Sequence, residues 1–432
     1  MRTALLEAGR TPLSLVDDVE PHEPGPGQVL VRVHHCGICH SDLTIIDSES
    51  PSPLPVVLGH EAAGIVAAVG PGVRSVKPGD HVIFSFRPHC GRCRYCTQGR
   101  TVLCIGRAAV PPGSLYDGTL RLKHKGQGIN QMARIGTFAE EVVVPEEMLV
   151  PIRKDMPWAQ AALVGCCVAT GVGAVTRHAK IEAGSTVLVI GCGGVGLNAV
   201  QGAMISGAGK IIAADVRDNK LEMAKTFGAT HVINTATDND PIKKVKEMSG
   251  GLGVDYAFDA IGRQKTCEQI LQATRPGGIG ADNRGGMAVL VGIPQEKVTI
   301  DPNLFVYGQR QYTGSLGASF PDQDFPMYLR WHQEGRFPLD RLITRRYKLE
   351  QINVMNEDAT LNDVVPERYR GMERYKARAK ILAELEEQGL LDGIHDHQLS
   401  IGRSYRSKVP IEYRLSDQWF VKMRPLTEKA LK

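Results

Sequence analysis

The chain has 432 residues, of which 42% are hydrophobic and 23% charged, proportions ordinary for a globular protein with two or three domains. Lys and Arg number 51 against 47 Asp and Glu, a net charge of +4. That balance provides no basic field for nucleic acid or a membrane surface. Because the N-terminus lacks the long apolar core of a secretory signal, we expect a cytoplasmic protein with reduced cysteines.

Short β-branched runs separated by Gly and Pro turns fill about the first 150 residues. They include residues 29–33, 64–66, 81–84 and 141–144, and they predict a small β-barrel-like domain. The longest apolar stretch, residues 161–175, is interrupted by glycines and shorter than a bilayer requires. We therefore expect no membrane span.

From residue 185 onward, strand and helix signals alternate along the chain. Residues 186–190 precede a helix after Gly194, residues 210–214 precede a helix from Asn219, and residues 254–258 form the next strand signal. This alternation predicts a doubly wound parallel sheet of the α/β class. Residues 286–292 read as a further buried strand, after which residues 311 to about 353 are expected to return to the first domain.

A glycine-rich loop follows the first strand of the predicted sheet. Gly191, Gly193 and Gly196 open the next helix, where backbone N–H groups can approach a pyrophosphate without obstruction by Cβ atoms. Asp215 ends the following strand, and its carboxylate would accept hydrogen bonds from ribose hydroxyls and repel a 2′-phosphate. The pattern favours NAD over NADP; the alternative is a structural glycine turn beside a solvated aspartate.

One group of residues has the spacing of zinc ligands, and a second group is placed where it could converge on a metal. The first is closed: three thiolates two residues apart and a fourth beyond a short hairpin can surround Zn²⁺ tetrahedrally. A disulfide cluster or chance spacing is the alternative, but nothing suggests an oxidising compartment. The second group would gather at the cleft between the domains and leave a fourth position for substrate. The first group is Cys90, Cys93, Cys96 and Cys104, and the second is Cys39, His60 and Cys166.

With these motifs, the chain resembles the medium-chain, zinc-containing alcohol dehydrogenase family. The resemblance rests on GICHSD (37–42), GHEAAGIV (59–66), the cysteine group, GCCVATGVGA (165–174) and GCGGVG (191–196), and it covers residues 1 to about 353. It implies a GroES-like β-barrel catalytic domain (1–167) with a structural-zinc lobe (about 88–106). A Rossmann NAD-binding domain (168–310), a return into the catalytic domain (311–353) and an extra C-terminal segment (354–432) would follow.

The resemblance also implies a role for each matching site residue. Cys39, His60 and Cys166 match ligands of a catalytic zinc, and Cys166 is preferred to Cys167 because it stands four residues before Thr170. Ser41 matches the hydroxyl that takes the substrate proton. The other matches are Asp42 as the acceptor that orients the histidine, Glu61 as a carboxylate near zinc, Phe86 in the substrate pocket, and Thr170, His40, Gly191, Gly193, Gly194, Val195, Gly196, Asp215, Lys220 and Ile293 around the cofactor.

These matches imply an NAD-dependent enzyme with two zinc ions per chain that acts on a primary alcohol or aldehyde. One position departs from many family members, since Thr44 stands where a relay histidine is common. The same threonine resembles the glutathione-dependent formaldehyde dehydrogenases, so an aldehyde–thiol adduct such as a hydroxymethyl thiol is an alternative substrate. Residues 298–307 are expected to form a sheet edge that resembles the segment through which family members pair subunits, and we expect a homodimer or homotetramer.

Residues 352–432 depart from the family pattern and resemble a fragment of valyl-tRNA synthetase. The family's closing helix and last strand are not readable after Ile352, which suggests a fusion of a dehydrogenase with a foreign tail. A catalytically silent fusion protein is therefore the alternative to an active enzyme. The tail carries no aminoacylation motif, and no nucleic acid partner is expected.

Overall fold

The computed structural model describes residues 1–48, 53–87, 89–98, 100–106, 112–278, 284–294 and 296–352, then 367–370 and positions 372, 376, 379–381, 383 and 384. The first part of the chain forms two curved sheets, ordered β2-β1-β5-β9-β8-β3 and β10-β4-β6-β7-β11. The strands are β1 (Thr3–Leu6), β2 (Ser14–Val16), β3 (Val19–Pro21), β4 (Gln28–Gly37), β5 (Val56–Val57), β6 (Glu61–Val69), β7 (His81–Phe84), β8 (Leu122–His124), β9 (Gln127–Gln131), β10 (Glu141–Pro145) and β11 (Leu149–Ile152).

The pairing of β4 with β6 is central to the second of these sheets. Val29 and Val31 of β4 are fully buried while Arg32 is exposed, which is the period of two expected of a half-buried strand. The pairing shifts register between Val33 and His35, a β-bulge that bends the end of the strand. Helix α1 (His40–Ile46) follows directly, so the end of β4 positions the motif that begins α1.

The second part of the chain forms one six-stranded sheet in which every neighbouring pair is parallel, ordered β14-β13-β12-β15-β16-β17. Its strands are β12 (Thr186–Ile190), β13 (Lys210–Asp215), β14 (His231–Asn234), β15 (Tyr256–Asp259), β16 (Met287–Leu290) and β17 (Gln311–Gly314). Its helices are α4 (Gly194–Ile205), α5 (Asp218–Thr226), α6 (Pro241–Met248), α7 (Gln264–Ala273) and α8 (Asn303–Val306). Strand order reverses between β12 and β15, which opens a ligand crevice at the carboxyl ends of the strands.

A long helical run links the two parts. It consists of α2 (Trp158–Leu163), a π-helical segment (Val164–Val168), α3 (Ala169–Gly173) and a second π-helical segment (Ala174–Ala179). The 22-residue run is long and apolar enough to cross a membrane, so the expectation that it was too short is wrong. However, 78% of its apolar window is buried inside the protein, as in a core helix.

Helix α9 (Pro321–Gln333) packs against this helical run and closes a shared core. Phe325, Tyr328 and Leu329 of α9 are buried in the same cluster as Val164 and Val168. Arg177 of the run forms an ion pair with the buried carboxylate of Asp324. Residues beyond the parallel sheet therefore pack between the two parts.

The structure differs from the predicted limits at three places. Strand β17 pairs with β16, so the parallel sheet extends beyond the predicted boundary at residue 310. The predicted boundary at residue 167 lies inside the continuous helical run. Residues 298–307 form no strand edge and instead contain α8. The Asp301 carboxylate accepts the N–H of Asn303, the first residue of α8, at 2.9 Å.

Candidate metal and dinucleotide site

Three side chains from distant parts of the chain converge between the two parts of the protein. Sγ of Cys166 lies 3.9 Å from Sγ of Cys39 and 3.3 Å from Nε2 of His60. All three ligand atoms lie within 4.8 Å of one another. Cys39 precedes α1, His60 directly precedes β6, and Cys166 lies in the first π-helical segment. The fold therefore gathers the three residues predicted to hold a catalytic metal.

The spacing of these atoms suits Zn²⁺. Zinc–sulfur bonds of about 2.3 Å at tetrahedral angles separate two sulfurs by about 3.8 Å, close to the 3.9 Å between Cys39 and Cys166. Two thiols and one imidazole are ligands that zinc prefers, and they leave one coordination position for substrate. The donor set therefore fits a catalytic zinc.

Asp42 fixes the geometry around this cluster. Its carboxylate accepts the backbone N–H groups of Cys39 and Gly59, both at 2.9 Å, and lies 3.5 Å from Nδ1 of His60. Asp42 is fully buried. Because Nδ1 faces the carboxylate, Nε2 is directed toward the cysteines, as ligating histidines require.

The charges of the cluster are strongly coupled. The Cys166 thiol lowers the pKa of Cys39 to about 3, against the opposing effect of burial. The pKa of Cys166 is raised, first by the hydrogen bond with Cys39 and then by burial. Burial by itself would lower the pKa of His60, but Asp42 and Cys39 raise it to about 10. Without a metal, these shifts favour a thiolate beside an imidazolium, so binding of a divalent cation would release protons.

Glu61 lies directly behind the metal ligands. Its carboxylate accepts the backbone N–H of Cys167 at 2.9 Å. Burial first, and the Cys39 thiolate second, raise the pKa of Glu61 to about 8. A side chain at Gly37 would overlap this carboxylate, with Cβ 2.9 Å from its Cδ, so a glycine is needed at the end of β4.

The four-cysteine group also comes together, in the lobe after β7. Sγ of Cys93 lies 3.5 Å from Sγ of Cys96 and 4.0 Å from Sγ of Cys104, and the latter sulfur accepts the backbone N–H of Cys90 at 3.2 Å. All four sulfurs lie within 4.8 Å of one another, and none is in a disulfide. Four thiols at these separations fit a closed tetrahedral zinc site.

The glycine loop has the form of a dinucleotide turn. Gly191 has a φ of +94°, which is open to glycine, and a side chain at Gly196 would overlap the carbonyl of Gly191. A side chain at Gly193 would meet no atom within 4 Å, so this side of the turn is open to a ligand. Gly193 caps α4, and the N–H groups of the helix face the opening.

Asp215 lies against the same loop. Its carboxylate accepts the N–H of Cys192 at 2.8 Å and that of Arg217 at 3.0 Å. These bonds anchor the carboxylate at the carboxyl end of β13, the position predicted to meet an adenosine ribose. Lys220 lies half-buried on α5.

The remaining predicted residues lie around these centres. The ring of Phe86 is edge-on to that of His60, with centroids 5.8 Å apart. The Ser41 hydroxyl oxygen lies 3.6 Å from Sγ of Cys39, whereas the Thr44 hydroxyl donates to the carbonyl of His40 at 3.0 Å. Their neighbours are His40, exposed at the start of α1; Thr170, buried on α3; Gly194 and Val195 at the start of α4; and Ile293, which is 56% exposed after β16.

The sequence interpretation missed a contact between the dinucleotide loop and Cys167, the neighbour of the ligand Cys166 in the chain. Asn198 of α4 is fully buried, and its amide donates to the carbonyl of Gly194 at 2.7 Å and to Sγ of Cys167 at 3.8 Å. A side chain at Gly171 would approach Cβ of Asn198 to 2.6 Å. The contact joins residues about 30 positions apart, so no local pattern predicts it. The sequence offers one indication, which is the polar Asn198 on an otherwise apolar helix.

Comparison with known proteins identifies the family. The family described as Alcohol dehydrogenase GroES-like domain matches residues 25–154, and Zinc-binding dehydrogenase matches residues 194–334. The NDMA-dependent alcohol dehydrogenase of Amycolatopsis methanolica is 36% identical, over 83% of this chain and 95% of that protein. The S-(hydroxymethyl)glutathione dehydrogenase of Synechocystis is also 36% identical, over 83% and 97% respectively.

Solved structures agree with these relatives. An alcohol dehydrogenase zinc-binding domain protein from Burkholderia ambifaria has a TM-score of 0.74 and 34% identity, over 81% of this chain and 93% of that one. Benzyl alcohol dehydrogenase from Acinetobacter calcoaceticus has a TM-score of 0.73 and 32% identity over the same shares. A zinc-binding dehydrogenase from Sinorhizobium meliloti, bound to NADP, has a TM-score of 0.64 and 28% identity, over 81% and 92%.

The chain therefore belongs to the zinc-dependent alcohol dehydrogenase family, and it is an oxidoreductase. The predicted α/β fold, with a GroES-like part and a Rossmann sheet, is confirmed. Zinc is confirmed as a cofactor.

Proposed function

We propose that this chain is an NAD-dependent enzyme that transfers a hydride between a primary alcohol and NAD at a catalytic zinc. The observation that carries the proposal is the convergence of Cys39, His60 and Cys166 beside the dinucleotide loop. The metal cluster and the dinucleotide loop are separated only by Cys167, the neighbour of Cys166 in the chain. A side chain at Gly194 of the loop would lie 3.4 Å from Cβ of Cys167. Reactants held by the two sites would therefore be adjacent.

Each residue near the cluster has a distinct part in this proposal. Zinc, when bound, would acidify and orient the alcohol, and the nicotinamide would accept the hydride. Asp42 holds the ring of His60 in one orientation, with Nε2 directed toward the two cysteines. The Ser41 hydroxyl is the group that takes up the substrate proton. The Phe86 ring forms an apolar wall that excludes water from the reacting atoms.

The onward path of the proton differs from a histidine relay. Thr44 stands at the relay position, and its hydroxyl proton is directed to the carbonyl of His40. Within α1 the threonine therefore offers only its oxygen lone pairs. We propose that the proton leaves Ser41 to solvent water, and that the Thr44 oxygen accepts a hydrogen bond from a water molecule on that path.

We propose NAD as the preferred cofactor because Asp215 places a carboxylate where a 2′-phosphate would lie. Thr170, Val195, Ile293, His40 and Lys220 are proposed cofactor contacts. Arg217 follows the carboxylate by two residues, and the Sinorhizobium meliloti protein binds NADP. Initial rates with each cofactor distinguish the two: a preference for NADP would contradict the assigned role of Asp215.

The substrate is proposed to be a primary alcohol or an aldehyde–thiol adduct such as a hydroxymethyl thiol. Relatives of both kinds are equally similar to this chain, at 36% identity. The benzyl alcohol dehydrogenase makes aromatic primary alcohols suitable first probes. A panel of primary, secondary and aromatic alcohols and of thiol adducts would rank these classes by kcat/KM.

Other sequence expectations stay proposals. They are cytoplasmic localisation and a homodimer or homotetramer. The valyl-tRNA-synthetase-like segment falls largely on residues 353–366 and 385–432, which lie outside the described residues. The comparisons do not support the silent fusion alternative. Peptides spanning residues 351–357 in mass spectra of the native protein would test the fusion itself.

Alcohol-dependent NADH formation, measured with and without a chelator, tests the proposed function. We expect turnover with benzyl alcohol that a strong chelator abolishes and added Zn²⁺ restores. Zinc content measured on the same samples provides the control. Protein that retains both zinc ions but forms no NADH from any alcohol in the panel would contradict the proposal and favour a silent protein.

A further inference from the structure

Arg87 is a cation with spare hydrogen-bonding capacity beside the proposed substrate pocket. Its guanidinium donates through Nη2 to the carbonyl of Leu316 at 2.8 Å. Its Nε is buried and has no hydrogen-bond partner. Among the residues that the structure describes, no carboxylate lies within 4.0 Å of it, and burial alone lowers the pKa of Arg87. A buried donor without a partner carries a cost that a ligand can remove.

The neighbouring acidic residue does not supply the missing partner. Asp322 lies at the start of α9, and its carboxylate is 3.5 Å from Nε2 of His89. Arg94 and Arg100 of the same lobe differ from Arg87 because they stack on the ring of Tyr95, and Arg92 differs because it is exposed. Arg87 therefore differs from these arginines as a half-buried guanidinium that forms no ion pair among the described residues.

The position of Arg87 relates it to the substrate. Phe86, its neighbour in the chain, is edge-on to the ligand His60. Both side chains pack against Gly317, where an added Cβ would lie 2.9 Å from Cζ of Phe86 and 3.3 Å from Cγ of Arg87. The aromatic wall and the arginine stem thus share one surface.

Leu316 and Gly317 lie on the other part of the protein, directly after β17. They therefore lie at the carboxyl end of the sheet, where the crevice of a doubly wound fold binds its ligand. Strand β17 belongs to the half of the sheet beyond β15, on the opposite side of β12 from Asp215. With the adenosine end of the dinucleotide at Asp215, this half is the nicotinamide side.

Resting on the proposed function, we propose that Arg87 forms a cationic subsite of the substrate pocket, and that the preferred substrate is an alcohol with a carboxylate remote from its hydroxyl group. Guanidinium and carboxylate match in planar, bidentate geometry. Phe86 would contact the body of the substrate, Arg87 its anionic end, and the metal cluster its hydroxyl. The apolar wall raises the strength of the ion pair by excluding water.

Three benzylic alcohols that share the ring and the hydroxymethyl group but differ in the charge of the para position test this subsite: benzyl alcohol, 4-(hydroxymethyl)benzoate and 4-(aminomethyl)benzyl alcohol. For the native enzyme we expect kcat/KM to be about 10- to 100-fold higher for the carboxylate than for benzyl alcohol, the range for one charged hydrogen bond. The ammonium compound should be the poorest of the three. The ratios between substrates are the readout, since they cancel losses common to all.

Arg87→Gln should bring the carboxylate-to-neutral ratio close to one, and Arg87→Glu should reverse it in favour of the ammonium compound. Arg153→Gln is the matched control, because Arg153 is an exposed arginine paired with Asp155 and should leave the ratio unchanged. Zinc content and melting temperature confirm that each variant is folded.

Two results would overturn the subsite. Unchanged ratios in both Arg87 variants would show that no substrate charge meets this residue. An equal loss for all three alcohols would show that Arg87 only holds the two parts together through Leu316. An enzyme that oxidises none of the three instead defeats the proposed function, so the two failures are distinguishable.

Discussion

Replacing Gly171 by alanine tests whether close packing of α3 on α4 sets the position of the cofactor relative to the metal cluster. A Cβ at this position would lie 2.6 Å from Cβ of Asn198 and 2.9 Å from the backbone N of Ala199, and it would overlap the carbonyl oxygen of Val195. Two of these three atoms belong to the backbone of α4. The strain therefore cannot be relieved by turning a side chain, and the helices must separate.

The expected effect is larger on activity than on stability. Restoring ordinary contact requires a shift of roughly 1 Å, and a misplacement of that size can lower rates about 100-fold. Overpacking costs about 1–3 kcal/mol of unfolding free energy, while alanine in a helix regains roughly 1 kcal/mol over glycine. We expect kcat/KM to fall about 100-fold with a small loss in melting temperature and unchanged zinc content.

The matched control is Gly202→Ala in the same helix interface. Its new Cβ would lie 3.1 Å from Cβ of Val175 and 3.2 Å from Cα of Val172, contacts that a helix shift of only a few tenths of an ångström relieves. This variant should keep near-native kcat/KM. Native-like activity in Gly171→Ala as well would refute the idea that this contact aligns the two halves of the site.

Three further predictions concern the metal cluster and stability. Cys166→Ser should lose the catalytic zinc in metal analysis, whereas Cys167→Ser should retain both ions. Asp42→Asn should weaken zinc binding about 10- to 100-fold in a chelator competition, because the amide no longer orients His60; unchanged affinity would contradict that role. Backbone and hydroxyl hydrogen bonds outweigh burial and lower the pKa of Glu146, so its stabilisation is present above the usual glutamate pKa and lost as pH falls through the lowered value. The free energy of unfolding in urea should therefore be lower for Glu146→Gln than for the native protein at neutral pH, by at most about 1 kcal/mol. The two free energies should become equal in acid.

Local spacing was enough to predict much of the site. The cysteines from Cys90 to Cys104 lie on one short stretch, so their spacing alone restricts which metal geometry they can form. The turn from Gly191 to Gly196 is also local, because its shape follows from the φ of one glycine and the absence of Cβ atoms. Where ligands are distant, as for Cys39 and Cys166, it was the family resemblance that paired them.

Boundaries between elements were predicted less well. The strand β17 was placed outside the parallel sheet, because a four-residue edge strand has too little periodicity to show where it pairs. The helical run from Trp158 to Ala179 crosses the predicted domain boundary. Its glycines at 165, 171 and 173 suggested interruption, but each admits a close neighbour, and the helix continues.

By itself, the sequence determined the two-part architecture, the ligand types and the identity of the dinucleotide turn, since these follow from hydrophobic period and from the chemistry of residues close in the chain. Only the tertiary structure decided that Asn198 bridges the loop to Cys167, that Gly171 must lack a side chain, and that Arg87 meets Leu316 across the cleft. Such contacts join segments far apart in the chain, and their distances depend on how whole helices and sheets pack. No local pattern carries that information.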